Sequence, residues 1–332
     1  MDRIERLTAW VKEVSANPDF ELSVASADAS FRRYFRVCDA NGMSRIVMDA
    51  PPEHEDCRPF VKVARLFGEA GAHVPEIFAE NVEEGFLLLS DLGNTTYLSA
   101  LNEGNAASLY ADALGALAAI QKASRPGVLP EYSREVLMRE LELFPVWYVG
   151  RHKGQSLSEA ETASLYEVFE RIVEVNLAEP KVFVHRDFHS RNLMLTPDRN
   201  PGVLDFQDAL YGPLTYDLVS LFKDAYIRWD EELTIDWLVR YWEVARDLGL
   251  PVREDFAEFH RDYEFMGAQR HLKVLGIFAR LCHRDGKQAY LKDMPLVLSY
   301  LRKTVERYRE LRPLAKLLDR LDPVERVEGF TF

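Results

Sequence analysis

Residues 181–216 constrain this chain's fold more than any other stretch, because they interrupt a helical pattern that holds on both sides. Val182-Phe183-Val184 and Leu193-Met194-Leu195 are apolar runs of strand type. Between them lies a polar loop, His185-Arg186-Asp187-Phe188-His189-Ser190-Arg191-Asn192, of the form H-x-D-x-x-x-x-N. Thirteen residues after Asn192 comes Asp205, at the end of a third apolar run and followed by Phe206-Gln207-Asp208. Strands around such a loop set its carboxylates and its amide at one edge of a rigid scaffold.

Length and composition bound the rest. A chain of 332 residues, 47% of them hydrophobic, is too long for one small core and suits two lobes. The formal net charge of −13 argues against a nucleic-acid partner, which needs a basic surface. It leaves room for an anionic small molecule held by a local group of arginines. Cys38, Cys57 and Cys282 are odd in number and far apart, so neither a disulfide framework nor a zinc knuckle is expected. The N-terminal residues MDRIERLTAWVKEV carry charges throughout and have no apolar signal region. No apolar run approaches the length of a membrane span. A cytoplasmic protein with no membrane contact and no obligate protein partner is the expectation.

An amphipathic helix opens the chain, with Ile4, Leu7, Trp10, Val11 and Val14 at helical spacing. Strands follow over residues 21–25, 31–37 and 45–50, with Asn41-Gly42 as the turn between the last two. A helix over 58–70 and strands over 76–79 and 85–89 complete a small sheet region. After Gly93 helices are expected over 105–122, 134–148 and 158–177, and again past Asp217, including a long one over 255–283.

The central loop suits phosphoryl transfer, in which catalysis is mostly positioning and charge neutralisation. Asp187 is the carboxylate that would accept the proton of an attacking hydroxyl. Magnesium favours hard oxygen ligands, which Asn192 and Asp205 supply. His185 is expected to order the loop through hydrogen bonds. Two other readings exist. The loop could be an ordinary surface segment, or His185, Asp187 and His189 could ligate zinc. Zinc sites take three or four N or S ligands. No HExxH or HxHxDH pattern is present, and His260, His271 and His283 lie in helical contexts.

These residues resemble the aminoglycoside phosphotransferase and choline kinase family, which shares the protein-kinase fold. The H-x-D-x-x-x-x-N pattern matches His185, Asp187 and Asn192. The family's metal-binding segment matches Asp205 to Asp208. Its G-x-P-x-x-D-L element is similar to Gly212-Pro213-Leu214-Thr215-Tyr216-Asp217-Leu218, which gives Asp217 a supporting role under the catalytic loop. Residues 27–37, 47–52 and 269–276 resemble one branch, the bacterial kinases that phosphorylate N-acetylmuramate and N-acetylglucosamine at C1. The resemblance implies a two-lobed, protein-kinase-like α+β fold. Its small antiparallel N-lobe would span residues 1–92 and its larger, mostly helical C-lobe 93–332. It implies ATP and Mg²⁺ as cofactors and an amino sugar as substrate.

Neither GxxxxGK[ST] nor GxGxxG occurs, so the phosphate cradle is expected at the turn 26–30, including Ser30, unless that is a plain β-turn. Met48 stands where the family carries a strand lysine. Arg32 or Arg33 would replace that lysine, and strand alternation allows only one of the two to face inward. Adenine would bond the backbone around Ser90 and Leu92. Asp208, Glu142, Trp147, Arg270 and Lys273 are candidate sugar contacts, with Arg280 and Arg284 on the same helical region; solvated faces or core packing are the alternative roles. Other acceptors, such as an aminoglycoside, choline or homoserine, fit the same chemistry. A nucleotide-binding scaffold without turnover is the reading that Met48 alone supports.

Overall fold

The structure, a computed structural model, describes residues 2–15, 19–27 and 31–323. By compactness the chain divides into two units. The first runs through Ala123 and takes in Ser190–Ala209, and the second comprises Ser124–His189 and the chain from Leu210 onward. This division differs from a single boundary after Leu92. It adds residues 93–123 and 190–209 to the sheet region, and it falls inside the polar loop, after His189.

The first unit is built on five antiparallel strands: β1 (Phe20–Ala27), β2 (Arg33–Asp39), β3 (Ser44–Asp49), β4 (Ile77–Asn81) and β5 (Phe86–Ser90). Their order is β1-β2-β3-β5-β4. Alternation puts Phe35, Val37, Val47, Phe86 and Leu88 on one face, where they form a core with Leu7 and Val11 of helix α1 (Arg3–Val14). Asp2 caps α1 through the Glu5 N–H, and Glu5 returns a bond to the Asp2 N–H. Helix α2 (Arg58–Glu69) brings the rings of Phe60 and Phe67 to 4.8 and 6.1 Å from Phe206. Leu193–Met194 pairs with Gly202–Val203. The Val203 N–H donates to the His73 carbonyl at 2.7 Å and the Leu195 N–H to the Thr95 carbonyl at 2.8 Å. These bonds bind the 190–209 segment to the sheet unit.

The second unit is mostly helical. Its longest helix, Phe256–His283, packs against Arg134–Leu141, Phe144–His152, Glu159–Leu177 and Met294–Arg307. The single helix expected over 134–148 is two: Arg134–Leu141 gives way to a π-helix, Phe144–His152. Pro145 has no N–H to continue the α-helical ladder, which is the physical reason for the break. A two-stranded antiparallel ribbon, Lys181–Val184 with Leu210–Pro213, presents the polar loop at its end.

Gly276 shows how tightly the long helix is packed. A Cβ there would lie 2.5 Å from the carbonyl carbon of Leu143 and 2.6 Å from its oxygen. Alanine favours helix over glycine by about 1 kcal/mol, but backbone atoms cannot swing aside. Gly276→Ala should therefore destabilise the protein by about 1–3 kcal/mol, measured as a lower urea midpoint. An unchanged midpoint would show that this contact yields without cost.

Candidate active site

In the first unit a cavity of about 370 Å³ is lined by Ala25, Tyr34, Arg36 and Ile46 of the sheet face opposite the α1 core. Leu89, Ser90, Asp91, Leu92 and Gly93 line it from the end of β5, and Asn192, Met194 and Asp205 from the 190–209 segment. That volume is in the range of ligand pockets. The β5 exit is fixed by an ion pair. Arg36 donates to Asp91 at 2.6 and 3.1 Å, and Ser44 also donates to that carboxylate. Burial works to raise the Asp91 carboxyl, but the bonds from Arg36 and Ser44 outweigh it and hold it low. Asp91 in turn accepts from the Gly93 N–H at 2.9 Å, and Gly93 sits at φ +88°, a conformation that suits glycine. The backbone beside the cavity is thus preset.

Asn192 and Asp205 meet at one edge of this cavity, the amide nitrogen 3.4 Å from the carboxylate. Gln207 donates to the other carboxylate oxygen at 2.8 Å, and the Arg32 guanidinium lies 3.6 Å from it. Asp205 has φ +63°, which is costly for a residue other than glycine and recurs where a side chain is aimed for a task. A carboxylate with an adjacent amide oxygen fits magnesium, which takes one or two protein oxygens and completes its shell with phosphate and water. Among the described residues no group of three or more His, Cys, Asp or Glu is arranged to hold a metal.

In the second unit the loop after Val184 is held by Asp217. The Asp217 carboxylate accepts from the His185 N–H at 2.7 Å and the Arg186 N–H at 2.9 Å. Burial pushes the Asp217 carboxyl up to about 7, against these two donors and Arg270, which favour the anion. Arg186 has φ +79°, and Arg270 donates to its carbonyl at 3.1 Å, so both sides of that residue are tied. The His185 Nδ1 accepts from the Asp187 N–H at 3.2 Å. Asp187 then presents a side chain 40% exposed, 4.0 Å from Arg270. Burial would raise its carboxyl, but Lys273, Arg270, His189 and Arg186 together lower it to about 2.

Behind the loop, four donors converge on Glu140. Tyr132 donates to it, Gln269 does so at 3.1 Å, Arg186 at 2.5 Å, and Lys273 lies at 3.0 Å. Glu140 is buried, which would raise its carboxyl, yet Lys273 and Arg186 hold it at about 2. Lys273 and Arg270 also donate to the Tyr216 hydroxyl, at 2.8 and 3.2 Å.

Asp187, His185 and Asp217 come together in one unit; in the other, Asn192, Asp205, Ser90 and Leu92 line the cavity and Arg32 lies beside Asp205. Four residues of chain separate Asp187 from Asn192. Arg33 faces away from the cavity: it pairs with Asp49 beside Arg3, on the α1 side of the sheet. Met48 is fully buried between Tyr34 and Leu87 and does not line the cavity. Ser30 lies outside the described residues. Asp208 and Glu142 are exposed, and Trp147 is partly buried on the π-helix. Arg270 and Lys273 are buried in the loop's support and not offered to solvent. Glu140 heads the stretch 140–148 that the sequence offers as sugar-pocket lining, but it stands in an apolar stripe with Leu137, Leu141 and Phe144, where a carboxylate calls for buried partners.

This fold and loop define a phosphotransferase. The chain belongs to the phosphotransferase enzyme family (APH), whose model matches residues 21–259. It is 50% identical to the N-acetylmuramate/N-acetylglucosamine kinase of Neisseria meningitidis serogroup B over the whole of both chains. It is 54% identical to the kinase of the same name from Pseudomonas aeruginosa over 91% of this chain and 88% of that one. Among solved structures it resembles the choline kinase LicA from Streptococcus pneumoniae, with a TM-score of 0.64 at 11% identity, covering 91% of this chain and 100% of that one. It also resembles the ADP-bound aminoglycoside phosphotransferase APH(2'')-Ib, with a TM-score of 0.59 at 15% identity, covering 91% and 98%. These two likenesses establish the protein-kinase-like fold.

Glu140 generates a prediction about stability. Its carboxyl is held at about 2 in the folded chain against an ordinary 4.5. The stabilisation is therefore complete above about pH 4.5 and is lost as pH falls toward 2. Glu140→Gln leaves Lys273 and Arg186 without their counter-charge and should cost about 3–5 kcal/mol at neutral pH. Urea titrations from pH 3 to 7 should show a stability gap between wild type and variant that narrows toward acid. A pH-independent gap would contradict the ionised carboxylate.

Proposed function

We propose that this protein transfers the γ-phosphoryl group of ATP to the anomeric hydroxyl of N-acetylmuramate and N-acetylglucosamine, in the cytoplasm. The observation that carries the reading is the conjunction of the tied H-x-D-x-x-x-x-N loop with full-length identity near 50% to curated kinases of these two sugars. Cys38, Cys57 and Cys282 are all unpaired, which suits a reducing compartment. No helix among the described residues is long and apolar enough to cross a membrane.

Asp187 is the group that meets the C1 hydroxyl. A carboxylate held near 2 is a weak base, so it orients the hydroxyl first. It takes the proton late, as the new O–P bond acidifies the oxygen, in keeping with a loose transition state. The anomeric hydroxyl is more acidic than an ordinary alcohol, which eases this demand. Asn192 and Asp205 would hold Mg²⁺, which neutralises phosphate charge when bound. Arg32 stands beside Asp205 and supplies the positive charge that Met48 cannot. Adenine would lie along the preset backbone from Ser90 to Gly93.

Incubation with ATP and either sugar should yield ADP and a sugar 1-phosphate, with the ester located by phosphorus NMR. Asp187→Asn should lower kcat by about 10²–10⁴-fold and leave ATP affinity within twofold by calorimetry. Phosphate found on another hydroxyl, or turnover with amino-alcohols and neither sugar, would refute the assignment.

A further inference from the structure

The helix Phe256–His283 is buried at every residue from Asp262 to Lys273. Beyond that point a stripe opens. Val274, Ile277, Arg280 and Leu281 are partly exposed, while Leu275, Gly276, Phe278 and Ala279 remain buried. Steps of three and four residues put the stripe on one helix face. It starts one turn past Arg270, whose guanidinium is 4.0 Å from Asp187. On one flank stands the π-helix Phe144–His152, since Gly276 abuts Leu143 and the His283 Nε2 is 3.3 Å from the His152 Nδ1. On the other, Tyr226 sits 6.2 Å from Phe278 and 5.5 Å from His189 by ring centroids. His189 lies two residues past Asp187. A partly exposed, largely apolar helix face, flanked by these two elements, therefore runs from the turn after Arg270 to Arg280.

The other cations of this helix region are committed. Arg270 donates to the Arg186 carbonyl and to Tyr216, Lys273 lies against Glu140 and donates to Tyr216, and Arg284 bonds both oxygens of Asp285. Arg280 differs. Its Nε is buried and has no hydrogen-bond partner among the described residues. A buried donor without a partner is costly, and an incoming carboxylate would relieve it with a forked, charge-assisted pair. Burial, and then the neighbouring Arg284, hold its guanidinium below the ordinary range, which an anion would reverse.

We infer that this helix face receives the sugar and that Arg280 binds the carboxylate of the lactyl ether, which N-acetylmuramate carries and N-acetylglucosamine lacks. The inference rests on the proposed function. Arg280 is ten residues from Arg270, about 15 Å along the helix axis. Both side chains are long, and the Cβ of Arg280 leans back toward residue 276, so the gap left between them is of monosaccharide size. Val274 and Ile277 offer apolar contact to the ring face and the lactyl methyl. Arg280 thus sets the preference between the two acceptors and does not take part in the transfer itself.

The test compares kcat/KM for the two sugars in wild type, Arg280→Gln and Arg280→Lys. Arg280→Gln should lower the N-acetylmuramate to N-acetylglucosamine ratio by about tenfold or more, chiefly through a higher KM for N-acetylmuramate. Arg280→Lys keeps the charge without the fork and should fall between the two. A ratio within twofold of wild type in both variants would overturn the inference, as would equal losses on both sugars. Wild type that phosphorylates N-acetylglucosamine and not N-acetylmuramate would also overturn it. Wild type inactive on both sugars would instead sink the functional reading beneath it. If Arg280→Gln does not fold, Arg280→Lys decides alone, by the same ratio.

Discussion

One buried carboxylate holding two successive backbone N–H groups fixes the polar loop that follows Val184. Asp217 bonds the amides of His185 and Arg186, and Arg270 takes the Arg186 carbonyl. Arg186 is therefore kept at φ +79°, a conformation that an unsupported arginine would leave. His185 completes the arrangement by accepting the next N–H, and Asp187 is left with its side chain directed outward. Burial alone would favour the neutral acid at Asp217, and a neutral acid would accept these bonds less well. The loop's shape and the charge state of its anchor are two aspects of one balance.

That balance extends through the surrounding charges. Arg186, Arg270 and Lys273 are three cations set among Glu140, Asp187 and Asp217. A buried ion pair is weak evidence for stability, because desolvation cancels most of its attraction, but a hydrogen-bonded network of this kind specifies geometry. Tyr132 and Gln269 also bond Glu140, and Tyr216 accepts from Lys273. The network reaches Asp187, whose affinity for a proton it suppresses. In the other unit the Arg36–Asp91 pair plays a comparable part for the backbone beside the cavity.

Most elements were legible because their periods were clean. Strand alternation in Phe35-Arg36-Val37 and the long apolar repeat of 255–283 both correspond to observed elements. The break at Pro145 was legible in principle and passed over, because apolar spacing continues across it. The polar loop was legible as a motif, since its residues are close in sequence. The groups that support it were not. Tyr132, Glu140 and Lys273 lie more than a hundred residues apart at the extremes, and no local pattern joins them. Arg32 and Arg33 show the limit of alternation. It required that only one face the cavity and could not say which, and the choice was made by Asp49 and Arg3 on the opposite face.

The compact unit that holds the sheet is interrupted in sequence: it needs residues 190–209, which the ribosome delivers only after the 66 residues that follow Ala123. Until then the carbonyls of His73 and Thr95 lack the N–H groups of Val203 and Leu195 that they accept in the finished protein. These two acceptors, which lie outside the five strands, therefore wait while residues 124–189 are made. A chain of this design cannot mature strictly from its N-terminus. Its first-made half is completed by a strand pair encoded well past the middle of its message.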